Sequence, residues 1–151
     1  MKELLERIKL CKLPSPQRRS LPFECYWEDS ILIQEQERIF SNQWLGLGRA
    51  DRLENPGEYE VFELCGQALV LIRDQEKALR LYANTCRHRG AKLLDGTGQC
   101  QAISCPFHGW TYSLDGNLKH AKTMSENPSF DFAEHSLIEY KLKELEGFLF
   151  V

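Results

Sequence analysis

Apolar residues recur over the first thirteen positions at Leu4, Leu5, Ile8 and Leu13, a spacing that predicts a short amphipathic helix over residues 1–13. Pro14, Pro16 and Pro22 then break any helix, so residues 14–28 are expected to run extended over the surface. From residue 29 to 44 the helical period returns. Asp29 or Ser30 can cap it, Leu32, Ile39, Phe40 and Trp44 form a candidate buried stripe, and residues 35–38 form the wet face. After Gly46 the pattern changes to short β runs split by turns. Asn55-Pro56-Gly57 marks a turn, residues 59–65 alternate, and Gly66-Gln67 links them to residues 68–73. Residues 74–77 then turn the chain into 78–83. Strands this closely spaced predict an antiparallel meander or small barrel, not βαβ units. Leu114-Asp115-Gly116-Asn117 reads as a hairpin turn, because Asp-Gly tolerates positive φ at both central positions. Residues 120–135 read as a loop, and residues 136–145 and 147–151 as two further strands. The expected fold is mostly β with an N-terminal helical leader, divided as residues 1–44 and 45–151.

A chain of 151 residues suits one compact domain, which buries about 68–70% of its unfolded surface and needs no disulfides. Apolar residues at 42% and charged residues at 27% exclude a disordered or low-complexity chain. Lys and Arg number 19 against 22 Asp and Glu, a net charge of −3 without the basic excess of a nucleic-acid or anionic-membrane binder. No apolar run is long enough to span a bilayer, and residues 1–10 alternate charge with Leu and Ile, unlike an export signal. A cytoplasmic location follows as an expectation, with neither nucleic acid nor membrane as partner. In such a reducing compartment the six cysteines are metal ligands or free thiols before they are bridges. The chain stops at Phe148-Leu149-Phe150-Val151, inside an apolar strand pattern, which points to a chain cut from something longer.

The chemistry concentrates in Cys86-Arg87-His88 and Cys105-Pro106-Phe107-His108, a C-x-H and a C-x-x-H separated by sixteen residues. Each half offers one thiolate and one imidazole, donors suited to iron or zinc. Arg89-Gly90 follows the first half and Gly109 the second, and glycine lets the backbone bend closely around a bulky inorganic centre. Two metal assignments compete. Zinc sites of two cysteines and two histidines usually group each type in its own half, whereas here the types are mixed. A Rieske [2Fe–2S] centre puts two cysteines on one iron and two histidines on the other, a demand that two such loops meet directly. The spacing favours Cys86, His88, Cys105 and His108 as ligands of one such cluster per chain.

The stretches Asn84-Thr85-Cys86-Arg87-His88-Arg89-Gly90-Ala91-Lys92-Leu93-Leu94 and Cys105 through His108-Gly109-Trp110-Thr111-Tyr112 to Asn117 resemble the Rieske domain of ring-hydroxylating-type oxygenase α subunits. Residues 35–44, Gly48-Arg49-Ala50 and Pro56-Gly57 agree with it upstream. The resemblance implies an antiparallel β core with a cluster-binding subdomain of two hairpin loops over about residues 84–117. In it Cys86 and Cys105 would ligate the buried iron and His88 and His108 the outer one. It further implies electron transfer to a mononuclear iron in a catalytic domain absent from this chain, on a neighbouring subunit. The electrons would come from a reductase or ferredoxin. A stand-alone Rieske ferredoxin is the alternative, and a structural zinc module a more distant one. The long leader speaks for the oxygenase. Rieske proteins of cytochrome bc complexes carry a bridged cysteine in each loop, where this chain has Ala91 and Phe107, and a serine where Trp110 stands. With fewer donors around it, the cluster is expected near the low end of a range of about −150 to +300 mV.

Other residues carry weaker signals. His120 and His135 read as surface loop residues, and no histidine pair with a carboxylate suggests a second iron site, so no catalytic residue is assigned. Cys65 and Cys100 read as small core residues, Cys11 and Cys25 as inert thiols of the leader. Trp44 and Trp110 read as packing residues, Trp110 also as a shield of the cluster from water. Arg87 and Arg89 are a candidate positive rim for docking.

Overall fold

The computed structural model describes every residue except Met1, Thr123 and Ser125; these three belong to the expected leader helix and loop and lie outside the described residues. The chain divides into two compact units, Met1–Gln43 and Trp44–Val151.

The first unit contains helix α1, Lys2–Lys9, continued by a 3₁₀ turn at Leu10–Lys12, and helix α2, Asp29–Arg38. Residues 14–28 are not extended throughout: Phe23–Tyr26 closes a 3₁₀ turn behind Pro22, whose fixed φ suits a helical start. Neither Asp29 nor Ser30 caps α2; Glu28 stands at the cap position without a side-chain hydrogen bond. The face of α2 follows expectation only in part: Glu37 and Arg38 are exposed and Phe40 is half-buried, but Leu32 and Ile39 are exposed and Glu35 and Gln36 are half-buried. The helix itself stops at Arg38, short of the expected residue 44.

Among the described residues the second unit is built from ten short strands, all paired antiparallel. A middle sheet takes β2 (Glu58–Leu64), β3 (Gln67–Arg73), β4 (Leu79–Ala83) and β5 (Thr97–Gln99) in the order β4-β3-β2-β5. Strand β3 is the reason for its central place. Leu69, Val70, Leu71 and Ile72 are all buried, a continuous apolar run that suits a strand covered on both faces. Leu69 and Leu71 join Leu81, Ala50, Leu53 and Leu149 in one core cluster; Val70 and Ile72 join Tyr82, Ile103, Tyr112 and Leu118 in another. Each buried Leu, Ile or Val among them contributes about 1.5–3 kcal/mol by leaving water. The first cluster is completed by the sheet β1 (Gly46–Arg49), β10 (Phe148–Phe150) and β9 (Lys143–Leu145), the second by the sheet β6 (Ile103–Ser104), β7 (Thr111–Tyr112) and β8 (Leu118–His120).

Turn chemistry sets the registers. Leu64 pairs with Gln67 and Leu145 with Phe148, and the two-residue links Cys65-Gly66 and Glu146-Gly147 both take positive φ at both positions, the hairpin turn whose twist matches the strands. Cys65 therefore stands at a turn with φ +51 and is not a strand residue of the core. The turn at residues 113–117 departs from expectation too: only Gly116 has positive φ, and Ser113 N donates to Asn117 O at 2.9 Å around a three-residue link. Residues 136–142 make no regular strand. They meet β4 through one backbone bridge, Tyr82 with Glu139, and an ion pair of Arg80 with Glu139 at 3.1 Å, while Leu137 turns inward, buried, with its N–H on Gly116 O at 2.8 Å.

Candidate metal centre

Two hairpins carry the four candidate ligands, and their backbones are superposable in hydrogen bonding. In the first, Cys86 N donates to Ala91 O at 2.8 Å and Gly90 N to Cys86 O at 3.0 Å. In the second, Cys105 N donates to Trp110 O at 2.8 Å and Gly109 N to Cys105 O at 3.1 Å. The flanking pairs match as well, Thr85 with Lys92 and Ser104 with Thr111. Each cysteine thus opens the same six-residue frame, with a left-handed glycine at its fifth position. The unequal spacings C-x-H and C-x-x-H place the imidazoles at neighbouring positions of equivalent loops.

Anchors behind each frame come from the core. Asn84 is buried and grips Leu94 with both ends of its amide, Nδ2 to the carbonyl at 2.8 Å and Oδ1 from the N–H at 3.0 Å, which fixes where the first loop leaves and returns. The second loop springs directly from β6 and β7. Cys86 and Cys105 are 2% and 4% exposed, while His88 is half-buried and His108 exposed. Thiols inside and imidazoles outside is the arrangement expected for them.

Tyr112, fully buried, sits beneath the first loop. Its hydroxyl oxygen accepts the Arg87 N–H at 3.0 Å and lies 3.3 Å from Cys86 Sγ. Burial raises its proton affinity far above that of an ordinary tyrosine, so the O–H stays on and is available to donate to a deprotonated sulfur. Burial likewise pushes the Cys86 thiol up; Tyr112 and the His88 N–H pull it back down, and the nearby Cys105 raises it again. Two buried sulfurs that disfavour each other's charge call for a cation between them.

The two rings meet edge to face, their centroids 4.8 Å apart at 73°. His88 lies flat against Trp110, 4.8 Å away at 12°, and Phe107 leans on His108 at 4.3 Å. Burial, then Arg89 and His108, lower the His88 pKa, which keeps the ring neutral and its lone pair available. Its Nδ1 is buried without any hydrogen-bond partner, an orphaned donor atom that a metal would satisfy. Among the described residues no three His, Cys, Asp or Glu side chains gather around one ion-sized point. A two-iron cluster asks for only two protein ligands on each metal, so the donor set fits it.

The remaining expectations divide. Arg87 and Arg89 are exposed beside the imidazoles, and Phe107 is 66% exposed. His120 is exposed at the end of β8. His135 is not a free surface residue: half-buried, it stacks on Phe130 at 4.4 Å and meets Trp110 edge-on at 5.7 Å. Trp110 is 3% exposed, but Trp44 is largely exposed and packs into no core cluster. All six cysteines are free; Cys100 packs against the core with its thiol pushed up by burial, and Cys11 and Cys25 are half-buried in the first unit. Tyr112, Phe130 and His135 escaped sequence reasoning. For Tyr112 a signal was present, since strand alternation from Trp110 turns it inward toward the cysteine side.

No helix among the described residues is long and apolar enough to cross a membrane. The Rieske [2Fe–2S] domain family matches residues 43–135 of the chain. The carnitine monooxygenase oxygenase subunit of Escherichia coli (strain K12) is 35% identical over 133 residues, covering 87% of this chain and 36% of that protein. The chloroplastic choline monooxygenase of Amaranthus tricolor is 34% identical over 131 residues, covering 87% of this chain and 29% of that protein. A solved quaternary ammonium Rieske monooxygenase, described in terms of carnitine oxidation and inter-subunit electron transfer, superimposes with a TM-score of 0.80 at 35% identity, over 85% of this chain and 36% of that one. The chain spans about a third of the length of the curated relatives it matches.

Proposed function

The chain belongs to the Rieske [2Fe–2S] domain family, and from that premise we propose that it holds the cluster through Cys86, His88, Cys105 and His108 and serves as the electron relay of a Rieske-type oxygenase. Bound there, such a cluster takes up and gives up one electron. What supports the ligand set is the pair of equivalent hydrogen-bonded frames, each presenting one buried thiol and one outward imidazole, with His88 Nδ1 left without a partner. The chain's own residues do the rest. Asn84 ties together the two ends of the first loop, the two glycines close each loop on its cysteine, Tyr112 steadies the sulfur of Cys86, and Trp110 keeps water from the inner side of His88.

The exposed edge formed by His108, Phe107, Arg87 and Arg89 is the face presented to redox partners. A reductase or ferredoxin is the electron donor, and the catalytic domain of an oxygenase, on a neighbouring subunit, is the acceptor. Rim arginines act mainly by steering an acidic partner into place. The relatives' names, carnitine and choline monooxygenase, make a quaternary ammonium compound the first substrate class to try with a full-length protein.

The test is anaerobic dithionite reduction of purified protein, with iron and acid-labile sulfide assays and EPR. Two irons and two sulfides per chain with a Rieske-type signal support the proposal. A colourless, EPR-silent protein holding one zinc overturns it.

A further inference from the structure

No disulfide fastens the two ligand-bearing loops to each other; all six cysteines are free. A different fastening is visible. Residues 130–135 cross beside both loops and touch each. On the first loop, Arg87 Nη2 donates to Glu134 O at 3.5 Å. On the second, Trp110 receives two edge-to-face contacts, from Phe130 at 5.6 Å and from His135 at 5.7 Å. Trp110 in turn lies flat on His88, so the aromatic contacts run from the crossing segment back to the first loop.

The segment is internally stiff. His135 stacks on Phe130 at 4.4 Å, Phe130 meets Phe132 at 5.1 Å, and His135 Nδ1 donates to Asp131 O at 2.8 Å. A carbonyl only accepts, so this bond places a proton on Nδ1. Asp131 Oδ1 accepts the Ala133 N–H at 2.8 Å and closes the turn.

We infer that residues 130–135 form a strap in which His135 and Phe130 brace Trp110, and Trp110 thereby sets the ring plane of His88. His135, Phe130 and Trp110 are positioning residues: the first two act on the candidate ligand only through Trp110. The inference rests on the proposed ligand set, since the plane of His88 matters to the centre only if His88 binds it. Holding that plane orients the lone pair of Nδ1, and loosening it leaves an imidazole that swings away from its metal more often.

The test compares His135→Ala with His135→Phe in the iron-loaded protein. His135→Phe keeps the ring against Phe130 and Trp110 and removes the imidazole nitrogens; His135→Ala removes the brace. For His135→Ala the expected result is a shift in the g-values of the reduced protein at unchanged iron and sulfide content. Release of iron to a chelator should be faster by about two- to tenfold, the span that one aromatic pair commands. His135→Phe should return both readouts to wild type. Trp110→Phe should shift the g-values in the same sense. His135→Ala with wild-type g-values and release rate overturns the strap, as does His135→Phe behaving like His135→Ala. A wild-type protein with no iron and sulfide overturns the ligand assignment instead, and is recognised before any variant is made.

Discussion

Gly90 and Gly109 occupy the same place in their two loops: each lies four residues beyond a cysteine, donates its N–H to that cysteine's carbonyl, and has φ of +73° and +71° respectively. A Cβ at either position would meet nothing within 4 Å, so the need for glycine is conformational and not steric. Gly90→Ala and Gly109→Ala should each cost about 1–2 kcal/mol, the difference between left-handed and ordinary backbone for an L-residue. Asn at either site should cost less. Urea denaturation of the iron-loaded variants checks this; a neutral alanine would mean the loops relax without loss.

Tyr112→Phe removes the hydroxyl 3.3 Å from Cys86 Sγ, which would donate to a metal-bound thiolate there, and leaves the Arg87 N–H without its acceptor. Reduction places negative charge on the centre, which the O–H donor stabilises. Its loss should lower the midpoint potential by roughly 20–60 mV, as expected for one hydrogen bond of about 0.5–1.5 kcal/mol in a one-electron couple. Redox titration decides, and an unchanged or higher potential contradicts the role.

The outer N–H groups of His88 and His108 should make the potential depend on pH. Oxidation leaves the centre more positive, so the rings release protons at lower pH in the oxidised state than in the reduced one. The potential should therefore be flat in acid and fall by about 59 mV per pH unit once the oxidised form begins to lose a proton. His88→Cys and His108→Cys should lower the potential and weaken that slope, if the centre still assembles. A slope unchanged in both variants would sink the coupling.

Asp115 is held below the ordinary carboxylate range, chiefly by the Ser113 hydroxyl; burial opposes this, and the side chain and backbone of Asn117 add to the lowering. A depressed folded pKa gives stability that is complete above the unfolded value of about 3.9 and lost as pH falls through the folded value. Asp115→Asn should thus be less stable than wild type at pH 7, by under about 1 kcal/mol because the group is exposed and screened. The two should converge in acid. Parallel denaturation curves at both pH values measure it; equal stability at neutral pH would remove Asp115 from the turn's support.

The candidate ligands were legible because their chemistry is local: residue type, spacing and the following glycines lie within a few positions of one another. Strands β2, β3 and β4 were legible for a similar reason, since the buried run around Val70 and the turn residues flanking it are short-range signals. Cys65 was misplaced because a cysteine rarely adopts positive φ; the register of Leu64 against Gln67 forces it. The exposure of Leu32 and Ile39 on α2 and the missing strand at 136–142 depend on what packs against each, which no period in the sequence states. His135 was read as an isolated loop residue because Trp110 and Phe130, its neighbours in space, are distant or unremarkable in sequence.

The most direct test of the centre is pulsed EPR on reduced protein carrying ¹⁵N-labelled histidine. Two inequivalent ¹⁵N couplings are predicted, one from the half-buried ring of His88 and one from the exposed ring of His108, with one coupling lost in each of His88→Cys and His108→Cys. A reduced iron–sulfur signal without histidine nitrogen coupling would contradict the ligand set and, with it, the relay built upon it.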